Sequence, residues 1–347
     1  MENQAQQLDS FIALSLQVTC HAVNQSKNRD EARSLIKKTI ARIGQQIAAA
    51  KAFIGSNCRL VLLPEYVLTS FPQGESIAVW SQKAALEMSD PLYDDLANIA
   101  VKHQIFLAGN AYENDPNFPH LYFQNCFIFA PSGNMVLRYR RLNSLFSPTP
   151  HDVLDRYLEL YGIEGIFPVA KTSIGNLAAI ASDEILFPEV ARCLAMRGAE
   201  IFLHPTSEIY GNARSPKEAA KTCRAVENMA YIISCNTAGI VGTAIASSSV
   251  DGGSKIIDYR GLVLSETDTG ESIAAYADID LHSLRRYRRQ SGMKNLLARH
   301  RSQIYTLGYD NSHFYPANTM VNGTIERQHF VNNQQSTIER LSELGII

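Results

Sequence analysis

Three stretches of this sequence end on side chains that can do chemistry. Arg59 to Leu63 leads into Pro64-Glu65, a strand ending near 140 leads into Arg141, and Leu177 to Ala181 leads into Ser182-Asp183-Glu184. A polar group at the C-terminal end of a buried strand is where α/β proteins place ligands and reacting atoms. There a polar side chain can hold a ligand or take part in a reaction. Each stretch also has a plainer reading. Glu65 can cap a neighbouring loop, Arg138-Tyr139-Arg140-Arg141 can be an edge strand kept soluble by its arginines, and Ser182-Asp183-Glu184 can be a polar turn.

The elements that must position these groups follow from local patterns. Residues 10–18 predict a first strand, and Asn28 to Ile54 a long helix whose apolar positions Ala32, Leu35, Ile36, Ile40, Ile43, Ile47 and Ile54 keep helical spacing. Asp90-Pro91 opens another helix. Ile105 to Ala108 reads as a strand, with Gly109-Asn110 as its turn. Residues 121–140 predict a hairpin about Pro131-Ser132-Gly133-Asn134. Residues 144–165 read as an irregular insertion, with a short helix from Asp152 to Tyr161. Pro188 starts a helix that Gly198 stops. Glu200 to His204 and Tyr231 to Asn236 predict strands around a helix begun by a Ser215–Glu218 capping box. Short strands joined at glycines fill 244–280, and the tail from Leu281 is basic, then irregular and aromatic.

Composition narrows the class. The chain has 347 residues, 46% of them hydrophobic, which is enough for a large core, and a net charge of −2. That balance excludes nucleic acid and anionic membrane as expected partners. The six scattered cysteines form no C-x-x-C pair, and no histidines stand at metal-ligand spacing, so no metal is expected. No Gly-rich phosphate loop calls for a cofactor. The amino terminus lacks the layout of a signal peptide and no apolar run reaches membrane-span length, which points to the cytoplasm. Alternating strands and helices without a linker predict one α/β domain.

Taken together and in order, these stretches resemble the nitrilase superfamily of carbon–nitrogen hydrolases. Leu62-Leu63-Pro64-Glu65 is similar to the family's first motif, Tyr139-Arg140-Arg141 to its second, usually Tyr-Arg-Lys, and Ser182 to Glu189 to its third, which usually starts Cys-Tyr-Asp and ends Phe-Pro-Glu. Ala195 to Glu200 and Arg224 to Asn228 also resemble the family, and the likeness covers roughly residues 10–290. It implies an αββα sandwich over residues 1–290 that pairs into a homodimer or higher homo-oligomer through the helices near the third motif. Residues 291–347 are then an extension, an arm on the core or on a partner subunit. It further implies a Glu base, a Lys that stabilises the oxyanion, and a Cys nucleophile acting on a small amide, nitrile or carbamoyl compound.

The chain departs from that pattern at two of three positions. Glu65 keeps the base, but Arg141 stands at the lysine position and Ser182 at the cysteine position. A thiol has a pKa of about 8.5, whereas a hydroxyl is a far weaker acid that generally needs an imidazole-type base, and no Gly-x-Ser-x-Gly elbow surrounds Ser182. Arginine keeps the charge but spreads it over a planar fork that can hold an oxyanion or lock Glu65 in an ion pair. We read both as natural divergence, since an engineered Cys→Ser trap leaves Arg141 unexplained. Cys193 and Cys235 sit in helix and strand patterns and are not substitutes. Glu184 and Asp183 are auxiliary candidates, and Asp152, Asp155 and Glu159 are candidates for the second glutamate found in many relatives. Three functions stay open: an atypical carbon–nitrogen hydrolase, a pseudoenzyme that binds a ligand or partners an active subunit, and a Ser-dependent acyl transferase.

Overall fold

Helix α1 (Arg29–Ile54) begins where the Asn28 side chain accepts from the Glu31 amide, carries Asp30 and Glu31 in its first turn, and ends at Gly55 with φ 107°. Its apolar stripe of Ala32, Ile36, Ile40, Ile43 and Ile47 is buried. The computed structural model describes residues 10–208, 215–247, 251–320 and 326–347.

In chain order the strands are β1 (Ser10–Ser15), β2 (Cys20–His21), β3 (Cys58–Leu62), β4 (Leu86–Glu87), β5 (Phe106–Asn114), β6 (Tyr122–Phe129), β7 (Met135–Arg140), β8 (Ala170–Thr172), β9 (Gly175–Ala179), β10 (Ile201–Pro205), β11 (Tyr231–Cys235), β12 (Ile240–Val241), β13 (Lys255–Ile257), β14 (Val263–Glu266) and β15 (Tyr276–Asp280). The helices after α1 are α2 (Ile77–Lys83), α3 (Pro91–His103), α4 (Leu154–Ile166), α5 (Pro188–Met196), α6 (Pro216–Asn228), α7 (Leu281–Arg289), α8 (Ser302–Tyr309) and α9 (Gln328–Glu343).

Two large sheets result. The first runs β15-β1-β3-β5-β6-β7, with β4 beside β5, and the second runs β14-β13-β11-β10-β9-β8. The centre of each is parallel: β1-β3-β5 in one and β9-β10-β11 in the other. Alternate residues of the first sheet sort into two cores. Leu60, Leu62, Ala108 and Ile128 join the second sheet with α5 and α6, whereas Val61, Leu63, Leu107 and Phe127 join α1 and α3. The architecture is therefore an αββα sandwich. The parallel strands β3, β9 and β10 all run toward one end, where a Glu65 N–H to Thr206 C=O bond of 3.3 Å ties the sheets together.

Several elements differ from what local pattern predicts. The strand after α3 does not turn at Gly109-Asn110 but continues as β5 to Asn114. Gly109 is there because a Cβ would lie 2.7 Å from the Phe127 ring, a close approach that reads locally as a turn signal. The insertion after Arg141 is more regular than expected, a 3-10 turn (Pro150–Val153) followed by α4, kinked at Gly162. At the start of α6, Ser215 Oγ accepts from the Lys217 amide. Glu218 does not complete a capping box, because its carboxylate binds Lys221 and Lys255 instead. The tail is irregular only in part, because α7, α8 and α9 alternate in it with irregular stretches. In α7 Arg288 donates to the carbonyls of Met229, Ala199 and Asn228, and beyond it Met320 and Phe330 are buried in the core under α1.

Candidate active site

Glu65 is carried just past β3, in a turn that includes Tyr66 with φ 61°, and its side chain is fully buried. One oxygen accepts from Gln124 Nε2 at 2.5 Å, and Gln124 in turn reaches Asn110 Oδ1 at 3.3 Å. Gln124 lies on β6 and faces inward, so its partner sits 59 residues away in sequence.

The arginines at the end of β7 divide by strand parity. Arg140 is almost fully buried on one side, where it meets Asp115 at 2.6 Å and Glu113 at 3.2 Å and lies 4.6 Å over the Phe123 ring. Arg138 also binds Glu113, at 3.0 Å. These two residues build structure rather than a solvated edge. Arg141 points into the cluster with Glu65. Its Nε donates to the Asn143 carbonyl at 2.7 Å and its Nη1 to Gln124 Oε1 at 2.8 Å. Nη1 also lies 3.5 Å from Glu65 Oε1, and Nη2 pairs with Asp183. Burial opposes the guanidinium charge, but Tyr66, Glu65 and Glu184 outweigh it and hold Arg141 charged. The contact with Glu65 is therefore one nitrogen at the edge of hydrogen-bond reach, not a face-on fork.

Ser182 opens a 3-10 turn (Ser182–Leu186) just beyond β9 and has φ 52°, which a non-glycine residue adopts only where its surroundings enforce it. Those surroundings are visible. Glu184 accepts from Leu142 N (2.6 Å), Asn143 N (2.9 Å), Tyr139 Oη (2.7 Å) and Ala181 N (3.3 Å), which binds this turn to the end of β7. Arg224 of α6 donates to the carbonyls of Ile185 and Leu186. His204 of β10 lies 2.7 Å from the Ser182 carbonyl through Nε2 and 2.9 Å from the Ser234 hydroxyl through Nδ1. Nε2 is therefore the protonated nitrogen, assigned from its carbonyl partner. Burial, with Lys221 nearby, keeps this imidazole neutral far below the ordinary histidine range.

The Ser182 hydroxyl meets a side chain outside the three motifs, 35 residues further along the chain. Lys217 Nζ, from the first turn of α6, lies 3.4 Å from Ser182 Oγ. Burial, together with the charges of Arg141 and Lys221, lowers its pKa below the ordinary lysine value, while Glu65 and Glu208 pull the other way. Lys221, one turn on, bridges Glu208 (2.7 Å) and Glu218 (2.6 Å). A signal for this was available: Lys217, Lys221 and Arg224 recur at helical spacing on the face that also buries Ala220 and Ala225. Cations on the inner face of an amphipathic helix need partners inside.

The structure brings Glu65, Arg141, Ser182, Asp183 and Glu184 together. Asp183 is partly exposed and Glu184 is a scaffold carboxylate with its lone pairs occupied. It does not bring in the other acids. Asp152 accepts from Thr149 N and Oγ1 at 2.8 Å each and caps its own turn, Asp155 is exposed, and Glu159 pairs with Arg156 at the surface. Spacing did not choose among them, and the turn and helix that carry them place them elsewhere. All six cysteines are free thiols. Burial raises the Cys235 thiol, whose Sγ is 3.3 Å from the Leu16 carbonyl, and Cys193 is raised by partial burial. Among the described residues no three His, Cys, Asp or Glu side chains gather to hold a metal, and no helix is long and apolar enough to cross a membrane.

Comparison with known proteins agrees with this geometry at the level of family and fold. The Carbon-nitrogen hydrolase family profile matches residues 13–289. Nitrilase homolog 2 of Dictyostelium discoideum is 24% identical over 66% of this chain and 67% of its own length. Omega-amidase NIT2 of Bos taurus is 26% identical over 53% of this chain and 64% of its own. Among solved structures, Nit3 of Saccharomyces cerevisiae, a member of branch 10 of the nitrilase superfamily, superposes with a TM-score of 0.63 at 19% identity, covering 82% of this chain and 94% of that one. The chain belongs to the carbon–nitrogen hydrolase family, within the nitrilase superfamily.

Proposed function

We propose that this chain cleaves the carbon–nitrogen bond of a small non-peptide amide, nitrile or carbamoyl compound through an atypical site. Ser182 is the acyl acceptor, Arg141 neutralises the tetrahedral oxyanion, and Glu65 is the base that activates water to release the acid. The observation that carries this reading is the convergence of the three groups from three separate strand ends, with Arg141 in contact both with Glu65 and with the neighbour of Ser182. The strained Ser182 backbone, in a turn held by Glu184, Arg224 and His204, supports it further. Ammonia release from a broad amide and nitrile panel tests the reading. Ser182→Ala should lower kcat/KM by several orders of magnitude, and Glu65→Gln should let the acyl group accumulate on Ser182, seen as a mass increase. No release by the unaltered protein, with no effect of Glu65→Gln, would sink the idea.

A second reading is favoured by one feature. Every nitrogen of the Arg141 guanidinium is engaged within the protein, as in a site kept for binding rather than turnover. In that case the chain is a ligand-binding or partner subunit. Turnover that Ser182→Ala abolishes rules this out. Acyl transfer to added hydroxylamine in preference to water would instead favour the transferase reading. We also propose that the chain pairs with a second copy through α5 and α6, where Leu186, Phe187, Met196 and Val226 are exposed. Sedimentation at a single-copy mass would refute this.

A further inference from the structure

We infer that Lys217 is the base that takes the proton from Ser182, so that acylation runs through a serine–lysine pair. This rests on the reading above, in which Ser182 accepts the acyl group. The geometry points to Lys217 by position and by elimination. Its Nζ is 3.4 Å from Ser182 Oγ, a separation usual for a catalytic pair before ligand tightens it. Both nitrogens of His204 are already committed, to the Ser182 carbonyl and to Ser234, so the imidazole cannot serve. Among the described residues no hydrogen bond joins Glu65 to Ser182: its Oε1 is taken by Gln124 and Arg141, and its buried Oε2 is left for the water of the second step.

The groups around Lys217 also leave it free to lose its proton. Glu208 and Glu218 are both bound to Lys221, and Glu218 to Lys255 as well. Among the described residues no carboxylate makes an ion pair with Lys217. Facing it are Glu65 after β3, Arg141 after β7, Glu208 after β10 and Lys221 on its own helix. Burial and the two cations favour the neutral amine, against the two acids.

The step balances without any further reactant. Neutral Lys217 removes the Oγ proton as Oγ bonds to the carbonyl carbon, and the carbonyl electron pair moves onto oxygen. When the intermediate collapses the carbon–nitrogen bond breaks, and the Lys217 ammonium passes its proton to the departing nitrogen. An ester on Ser182 and an amine, or ammonia, remain. Water then attacks the ester, Glu65 takes its proton, and the proton returns to Oγ as the acid leaves.

Acylation by p-nitrophenyl acetate, located by peptide mass, tests the lysine separately from the acyl acceptor. In the unaltered protein the rate at Ser182 should rise with pH through an apparent pKa below the ordinary lysine range. Lys217→Met, and Lys217→Arg, which keeps the charge but cannot accept a proton, should each slow acylation by about 100-fold or more. In a Ser182→Cys background, where the thiol ionises on its own, Lys217→Met should cost less than about 10-fold. Equal losses in both backgrounds would assign Lys217 a structural role and overturn the inference, as would unchanged acylation of Ser182 in either variant. If Ser182 is not acylated in the unaltered protein, the acyl-acceptor reading falls, and the lysine's role with it. Thermal melts of each variant, with Lys217→Arg as the conservative one, separate loss of fold from loss of the base.

Discussion

At the scale of single residues, buried carboxylates and cations hold the candidate site together. Glu184 shows the scaffold. Its carboxylate satisfies donors from Leu142, Asn143, Tyr139 and Ala181, so it joins the turn that carries Ser182 to the strand end that carries Arg141. On the proposed reading, this frame would suit a thiol and a lysine at positions 182 and 141 as well as the hydroxyl and guanidinium that stand there. Replacing both, as Ser182→Cys with Arg141→Lys, should raise amide turnover above that of the unaltered protein and make position 182 reactive to iodoacetamide. Unchanged turnover, with no labelling at that position, would mean that the pocket has lost its catalytic shape.

At the scale of elements, two close fits carry testable costs. Gly109 in the middle of β5 leaves room for the Phe127 ring, so Gly109→Ala should destabilise the chain by about 1–3 kcal/mol in urea unfolding, by forcing that ring aside. The second fit is α7. Arg285 binds Glu200 through two bonds of 2.7 and 2.9 Å, and Asn176 N donates to the same carboxylate at 2.9 Å. Burial alone would raise the Glu200 pKa, but Arg285 and the Asn176 amide outweigh it and hold the carboxyl below the usual carboxylate range. A group depressed in the folded state stabilises it above the unfolded pKa of about 4.3, and that stabilisation is lost as pH falls through the folded value. Arg285→Ala should therefore lower stability at neutral pH and flatten its fall below about pH 4. A variant whose acid unfolding curve runs parallel to that of the unaltered protein would contradict this.

At the scale of the whole molecule, the C-terminal segment is part of the sandwich. Phe330 is fully buried in the core formed with α1 and α3. Arg327 donates to the Glu75 carbonyl at 2.6 Å and to Tyr122 Oη at 3.1 Å, close to the loops that follow Glu65 and Arg141. Phe330→Ala should cost about 3–5 kcal/mol in chemical denaturation. Leu307→Ala on α8, whose side chain is 74% exposed, should change stability by no more than about 0.5 kcal/mol. Equal effects would mean that the segment does not pack on the core in solution.

The sequence by itself determined the parts that depend on near neighbours. An apolar strand followed by a polar exit, a capped amphipathic helix and a hairpin turn are written within a few residues of one another. Glu65, Arg141, Ser182 and the alternation of strands and helices were therefore legible. Only the tertiary structure decided which groups meet. Gln124 reaches Glu65 across 59 residues, and Lys217 reaches Ser182 across 35. Those meetings arise because parallel strands from two sheets end on one side of the sandwich, and no local pattern encodes which side chains face one another there. The same reason separates Arg140 from Arg141. Consecutive side chains on a strand point to opposite faces, and only the packed sheet determines that one face holds Glu113 and Asp115 while the other holds the site.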